Sequence, residues 1–124
     1  MEDLAQRIVM IVNLSNHPSS SWSDKQLQAA SEYGEIVDLQ FPQIHPDATL
    51  GSVKRIARTY KDKILKLNPD VLHIQGEQVF VFILVNWMRE LGIRCVASTS
   101  KRIKVKTKAT RANREFGGFR NYFL

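Results

Sequence analysis

Cysteine is nearly missing. Cys95 is the only one in 124 residues, so the chain holds no internal disulfide and no cysteine-based metal site. It lies in an apolar segment and reads as core. No H-x-x-x-H or C-x-x-C pair occurs, and the three histidines, His17, His45 and His73, have no spacing that joins them around a metal. Neither a metal nor a cofactor is expected. The G-x-x-x-x-G-K of a phosphate-cradling loop is absent. No window reaches the roughly 18 uninterrupted apolar residues of a membrane span, and Met1-Glu2-Asp3 is not the basic start of a signal peptide. The expectation is a cytoplasmic protein with no membrane contact. Prolines number four, and repeats and low-complexity stretches are lacking.

What is present is ordinary in bulk and uneven in detail. Apolar residues make up 44% and charged residues 24%, which suits a single soluble domain over residues 1–124. The net charge of +6 is concentrated at one end. From Lys101 onward eight basic residues face Glu115 alone, a density that either attracts polyanions, nucleic acid included, or merely solubilises an edge.

The stretch 8–23, IVMIVNLSNHPSSSWS, organises the rest. Residues 8–12 are apolar and rich in β-branching, as in a central parallel strand covered on both faces. Asn13, Ser15, Asn16, His17 and Pro18 end it. Ser23 then opens a helix over 23–33 with an S-x-x-Q capping box, and Gly34 stops it. Residues 35–40 read as a second strand, 41–47 as a Pro-containing loop, and 49–67 as an amphipathic helix capped by Thr49 and ended by Asn68-Pro69. A third strand covers 70–74. The apolar run 79–85 suits either a strand or a helix, and its continuation to Gly92 favours the helix. A fourth strand covers 93–97 and ends in Ser98-Thr99-Ser100. Four strands alternating with three helices predict an α/β fold, a parallel doubly wound sheet of order 2-1-3-4 with right-handed crossovers. Residues 102–105 and 115–123 predict a C-terminal antiparallel β extension, with bulge or turn chemistry at Asn113 and Gly117-Gly118.

In such a sheet the ligand site lies beyond the carboxyl ends of the strands. Three of those ends are polar: Asn13, Ser15, Asn16 and His17; then Gln75, Gly76, Glu77 and Gln78; then Ser98, Thr99 and Ser100. His17 is placed for proton transfer or phosphate contact, or else serves its own turn. His73 and His45 read as structural. Glu77 either grips a ribose hydroxyl, acts as a base, or caps the following helix. Gly76 suits a close backbone approach. Ser19 begins the serine run beside Trp22, and Trp22 either stacks on a base or staples the helix start.

NLSNHPSSSW after the first strand, QGE after the third, ASTS after the fourth and the closing REFGGFRNY together resemble small CRISPR-associated accessory proteins of type III systems. The most specific piece is S-x-H-P: Ser15, His17 and Pro18. The resemblance implies a Rossmann-like fold related to domains that sense cyclic oligoadenylates, with some members acting as ring nucleases. It also implies a ligand and a mechanism, namely a cyclic oligoadenylate cut without a metal by its own ribose 2′-hydroxyl. Asn13, Ser15 and helix-start amides then hold phosphate oxygens, His17 moves a proton, Glu77 grips ribose, and Arg111 or Arg114 offsets charge. A two-fold ligand implies a homodimer. The alternatives are a non-catalytic nucleotide or RNA binding module, and a nucleoside or nucleotide enzyme using Glu77.

Overall fold

The computed structural model describes residues 8–103 and 114–123. The element order is β1 (Met10–Leu14), α1 (Asp24–Ser31), β2 (Glu35–Asp38), α2 (Leu50–Leu67), β3 (Val71–Ile74), α3 (Gln78–Glu90), β4 (Arg94–Arg102) and β5 (Arg114–Asn121), with one 3-10 turn at Ser19–Ser21. The five strands form one sheet in the order β2-β1-β3-β4-β5. The first three pairings are parallel and β4-β5 is antiparallel. The expected order 2-1-3-4 is therefore present, with β5 added at the β4 edge.

Pleat parity divides the core in two. Val12, Leu14, Leu72, Ile74 and Cys95 point into the larger cluster, where Val53, Ala57 and Ile64 of α2 meet Phe80, Leu84 and Met88 of α3. Ile11, Val71 and Val96 point the other way, toward Trp22 and Ala30, with Leu27, Tyr33, Ile36 and Phe119 packed around them. The sheet is thus covered on both faces, as the unbroken apolar strands require.

The helix ends follow local chemistry. Ser23 and Thr49 accept from Gln26 N and Ser52 N as N-caps. Asn68 closes α2 in the left-handed region, with φ 52°. The ambiguous run from Val79 is helical, as its length implied. Gly34 stops the turn after α1 at φ +133°, and a Cβ there would strike the carbonyl of Val9.

Several expected boundaries shift. β1 begins at Met10, leaving Ile8 and Val9 exposed, and runs on through Asn13, which is 1% exposed. Asn13 therefore belongs to the strand rather than its end, because its amide is fully hydrogen-bonded there. Ser98, Thr99 and Ser100 are strand residues too. β4 does not stop at Ala97 but continues to Arg102, since β5 pairs with it as far as Arg114. Arg102 consequently ends β4 and does not begin a separate strand, while the remainder of the expected 102–105 strand beyond Ile103, together with Asn113, lies outside the described residues. The bulge falls at Gly117: Thr99 pairs with Gly118 and Ser100 with Phe116, which leaves Gly117 over. Among the described residues no helix is long and apolar enough to cross a membrane.

Cys95 is 1% exposed, and burial pushes its thiol up to about 12. The expected outcome is that a thiol reagent such as 5,5′-dithiobis(2-nitrobenzoate) modifies no cysteine in native buffer at neutral pH and one per chain in denaturant. Rapid native modification would contradict this placement.

Candidate functional site

The apolar row Ile11, Val71 and Val96 turns polar one step further along each strand. In the parallel register Asn13 sits opposite both Asp38 of β2 and His73 of β3. Ser98 lies two residues beyond Val96, on the same face. Neighbouring strands bring these side chains into contact. Asn13 Nδ2 donates to Asp38 Oδ1 at 2.9 Å and to His17 O at 2.9 Å. Both of its protons are therefore spoken for, and its Oδ1 faces Ser15 Oγ at 2.8 Å and His73 Nδ1 at 2.9 Å. An acceptor there means that His73 carries its proton on Nδ1.

The opposite nitrogen, Nε2, is 2.7 Å from Ser98 Oγ and 3.0 Å from Gln75 Oε1. Gln75 is oriented by Ser98 N, which donates to Oε1 at 3.0 Å. Gln26 Nε2 donates to Ser98 Oγ at 2.9 Å, which leaves the Ser98 hydroxyl proton for His73. Gln26 thus breaks the expected capping box: its backbone is capped by Ser23, while its side chain crosses to β4. Burial pushes His73 down to about 4, with the Gln75 contact opposing and the nearby His17 reinforcing that shift. The imidazole is neutral at physiological pH.

His73 and Ser98, the far end of this row, form the floor of a cavity of about 350 Å³, within the span of ligand pockets. Its walls carry Ser15, His17, Gln26, Gln75 and Ser98, with Trp22 and Phe116 as aromatic sides. The backbone of His17 is clamped, because its carbonyl accepts from Asn13 and Trp22 and its N–H donates to Ser15 Oγ. Its ring makes no hydrogen bond among the described residues. Trp22 is the staple rather than an open stacking platform: it is 8% exposed, packs with Leu27, and meets the His73 ring edge-on at 5.2 Å.

Not every expected residue joins this cavity. Thr99 and Ser100 line it, but Thr99 Oγ1 donates to Gly118 O, and Ser100 Oγ accepts from Arg114 Nε at 2.9 Å. Arg114 reaches this rim only through Ser100, on which it docks, and Arg111 lies outside the described residues. Ser19 holds Asp38, through Oγ at 2.8 Å and through its N–H. Asn16 and Glu77 line a separate hollow beside Phe41 and His45. Both carboxylate oxygens of Glu77 are occupied, accepting from Val79 N at 3.1 Å and Phe80 N at 2.7 Å as the N-cap of α3. Gly76 and Gln78 line a groove along α3. At Gly76 a Cβ would strike the Phe41 ring, so the residue is glycine for packing.

A sequence model of the uncharacterized protein MJ1673 family matches residues 9–119, which run from the residue before β1 into β5. The chain belongs to this family. Comparison with curated proteins and with solved structures gives no match. In this family member the matched span includes every residue of the Asp38–Asn13–His73–Ser98 row.

Sequence reasoning passed over Asp38, His73 and Gln26. His73 read as core, and it is core, yet it also closes the cavity floor. The available signal was shared position: Asp38, Asn13 and His73 each stand near the carboxyl end of an apolar strand, where a polar side chain needs a partner.

Two outcomes follow. Between pH 6.5 and 4 the unfolded chain takes up a proton that folded His73 refuses, so stability falls as pH falls, by about 3 kcal/mol for this group, and this contribution levels off below 4. Urea midpoints across that range check it, and a slope unchanged in His73→Asn would overturn it. Glu77→Ala loses about 1 kcal/mol of stability through its cap, measured by denaturant melts. Full stability would free Glu77 for a ligand.

Proposed function

We propose that this protein binds a cyclic oligoadenylate and cleaves it without a metal ion, as a ring nuclease. The observation that supports this most is the placement of His17, with an uncommitted ring, on a polar cavity at the carboxyl ends of β1, β3 and β4. That is where open α/β sheets bind nucleotides. The same S-x-H-P element that resembles the type III CRISPR-associated accessory proteins supplies two of the cavity walls, Ser15 and His17.

The chemistry asks for little beyond positioning. A ribose 2′-hydroxyl in line with the adjacent phosphorus displaces the 5′-oxygen, leaving a 2′,3′-cyclic phosphate. Ser15, Gln26 and Gln75 are hydrogen-bonding walls for ribose and phosphate oxygens. His17 is the group placed to hand a proton to the leaving oxygen. Arg114, docked on Ser100, brings positive charge to the rim. One cavity of this size takes one nucleotide unit, so a two-fold cyclic ligand calls for two copies of the chain, each offering the same loops.

A non-catalytic nucleotide sensor is the second reading, supported by the weight of basic residues after Lys101. Turnover separates the two. Incubation with cyclic tetraadenylate and cyclic hexaadenylate in the presence of a chelator is expected to give linear products ending in 2′,3′-cyclic phosphate. Binding without products favours the sensor, and no binding of either ligand at micromolar protein rules out both. His17→Ala is expected to slow cleavage about 10²–10⁴-fold while affinity stays nearly unchanged, and an undiminished rate removes His17 from the reaction.

A further inference from the structure

Ser98 Oγ is the hydroxyl through which the polar row, buried at Asn13 and His73, opens on the cavity. Behind it stands His73, 1% exposed, with its Nε2 lone pair directed at the hydroxyl. Behind His73 stands Asn13, and behind Asn13 the carboxylate of Asp38. A histidine buried only for packing needs partners for its two nitrogens but no hydroxyl leading to a ligand-sized space. Here the row ends in one, and Gln26 fixes the direction of its proton by donating to the same oxygen. The Gln75 contact offsets part of the burial that disfavours protonated His73: its Nδ1–H meets Asn13 Oδ1, and a new Nε2–H would meet Gln75 Oε1 at 3.0 Å.

We infer that Ser98 is a catalytic residue whose hydroxyl, backed by His73, takes the proton from the attacking 2′-hydroxyl of a bound nucleotide. This rests on the phosphodiester-cleaving reading of the cavity. The 2′-oxygen forms its bond to phosphorus and its proton passes to Ser98 Oγ, while the Ser98 proton passes to His73 Nε2. The bond from phosphorus to the 5′-oxygen breaks, and that oxygen takes a proton from His17. The ends formed are a 2′,3′-cyclic phosphate and a 5′-hydroxyl. His73 returns its proton to water through Ser98, and His17 regains one from water, so the protein ends as it began. His73 never touches the ligand; it is the base behind the contact.

The test has two arms, both on the full chain. In single-turnover cleavage of cyclic tetraadenylate and cyclic hexaadenylate, Ser98→Ala is expected to lower the rate about 10²–10⁴-fold with ligand affinity kept, and Ser98→Thr to recover most of the loss. An unaltered rate in Ser98→Ala overturns the assignment. The second arm uses diisopropyl fluorophosphate and needs no cyclic ligand. A serine oxygen hydrogen-bonded to a neutral imidazole attacks its phosphorus, fluoride leaves, and mass spectrometry locates the added group. Labelling is expected at Ser98 in preference to Ser20 and Ser21, and is expected to vanish in His73→Asn. Labelling of Ser98 without cleavage of either cyclic ligand sustains the relay and removes the proposed ligand. Cleavage by a protein whose Ser98 is unlabelled and dispensable removes the relay and keeps the ligand.

Discussion

The hydrogen bond between Asn13 Oδ1 and His73 Nδ1, 2.9 Å long and buried within the sheet, is the contact on which the site depends. Asn13 uses its whole capacity: two protons given, to Asp38 and to His17 O, and two accepted, from Ser15 and His73. That one amide sets the tautomer of His73, the turn of residues 15–17 and the tie between β1 and β2. Burying Asn13, Ser15 and His73 together is tolerable only because each is satisfied, and among the described residues no buried side-chain nitrogen or oxygen lacks a partner. Losing the amide would strand several of them together.

The surroundings exploit this rigidity. Trp22 lies over the His73 ring and gives its own N–H to His17 O, so the staple that starts α1 also braces the loop carrying His17. Ser19 reaches Asp38 from the 3-10 turn and holds the loop from its other side. The antiparallel pairing of β4 with β5 keeps Ser98 at a strand position rather than in a loop. A hydroxyl on a strand has little freedom, which favours a fixed proton direction.

Much of the fold was legible in residue pattern. The β-branched runs, the Ser23 and Thr49 caps, the Gly34 and Asn68 stops and the helical length of the run from Val79 are local signals, and each survived packing. The candidate site was legible in part. Ser15, His17, Gln75 and the Ser98–Ser100 segment do meet at one rim. Glu77 was not decidable from spacing, since a carboxylate ahead of a helix serves equally as cap or ligand, and the two α3 amides claim it here. The extent of β4 was hidden for a related reason: small hydroxyl residues look like a strand's end until a neighbouring strand offers them a ladder.

Sequence alone determined the elements, their alternation, the helix caps at Ser23 and Thr49 and hence a parallel α/β sheet with polar strand ends, because hydrophobic period and capping act within a few residues of themselves. Tertiary structure alone decided that Asp38, Asn13, His73 and Ser98 are neighbours, that Glu77 turns to its helix, and that His73 stays neutral. Those outcomes depend on strand register and burial, which bring together residues as many as 60 positions apart in the chain, and no local pattern encodes which side chain will lie opposite which.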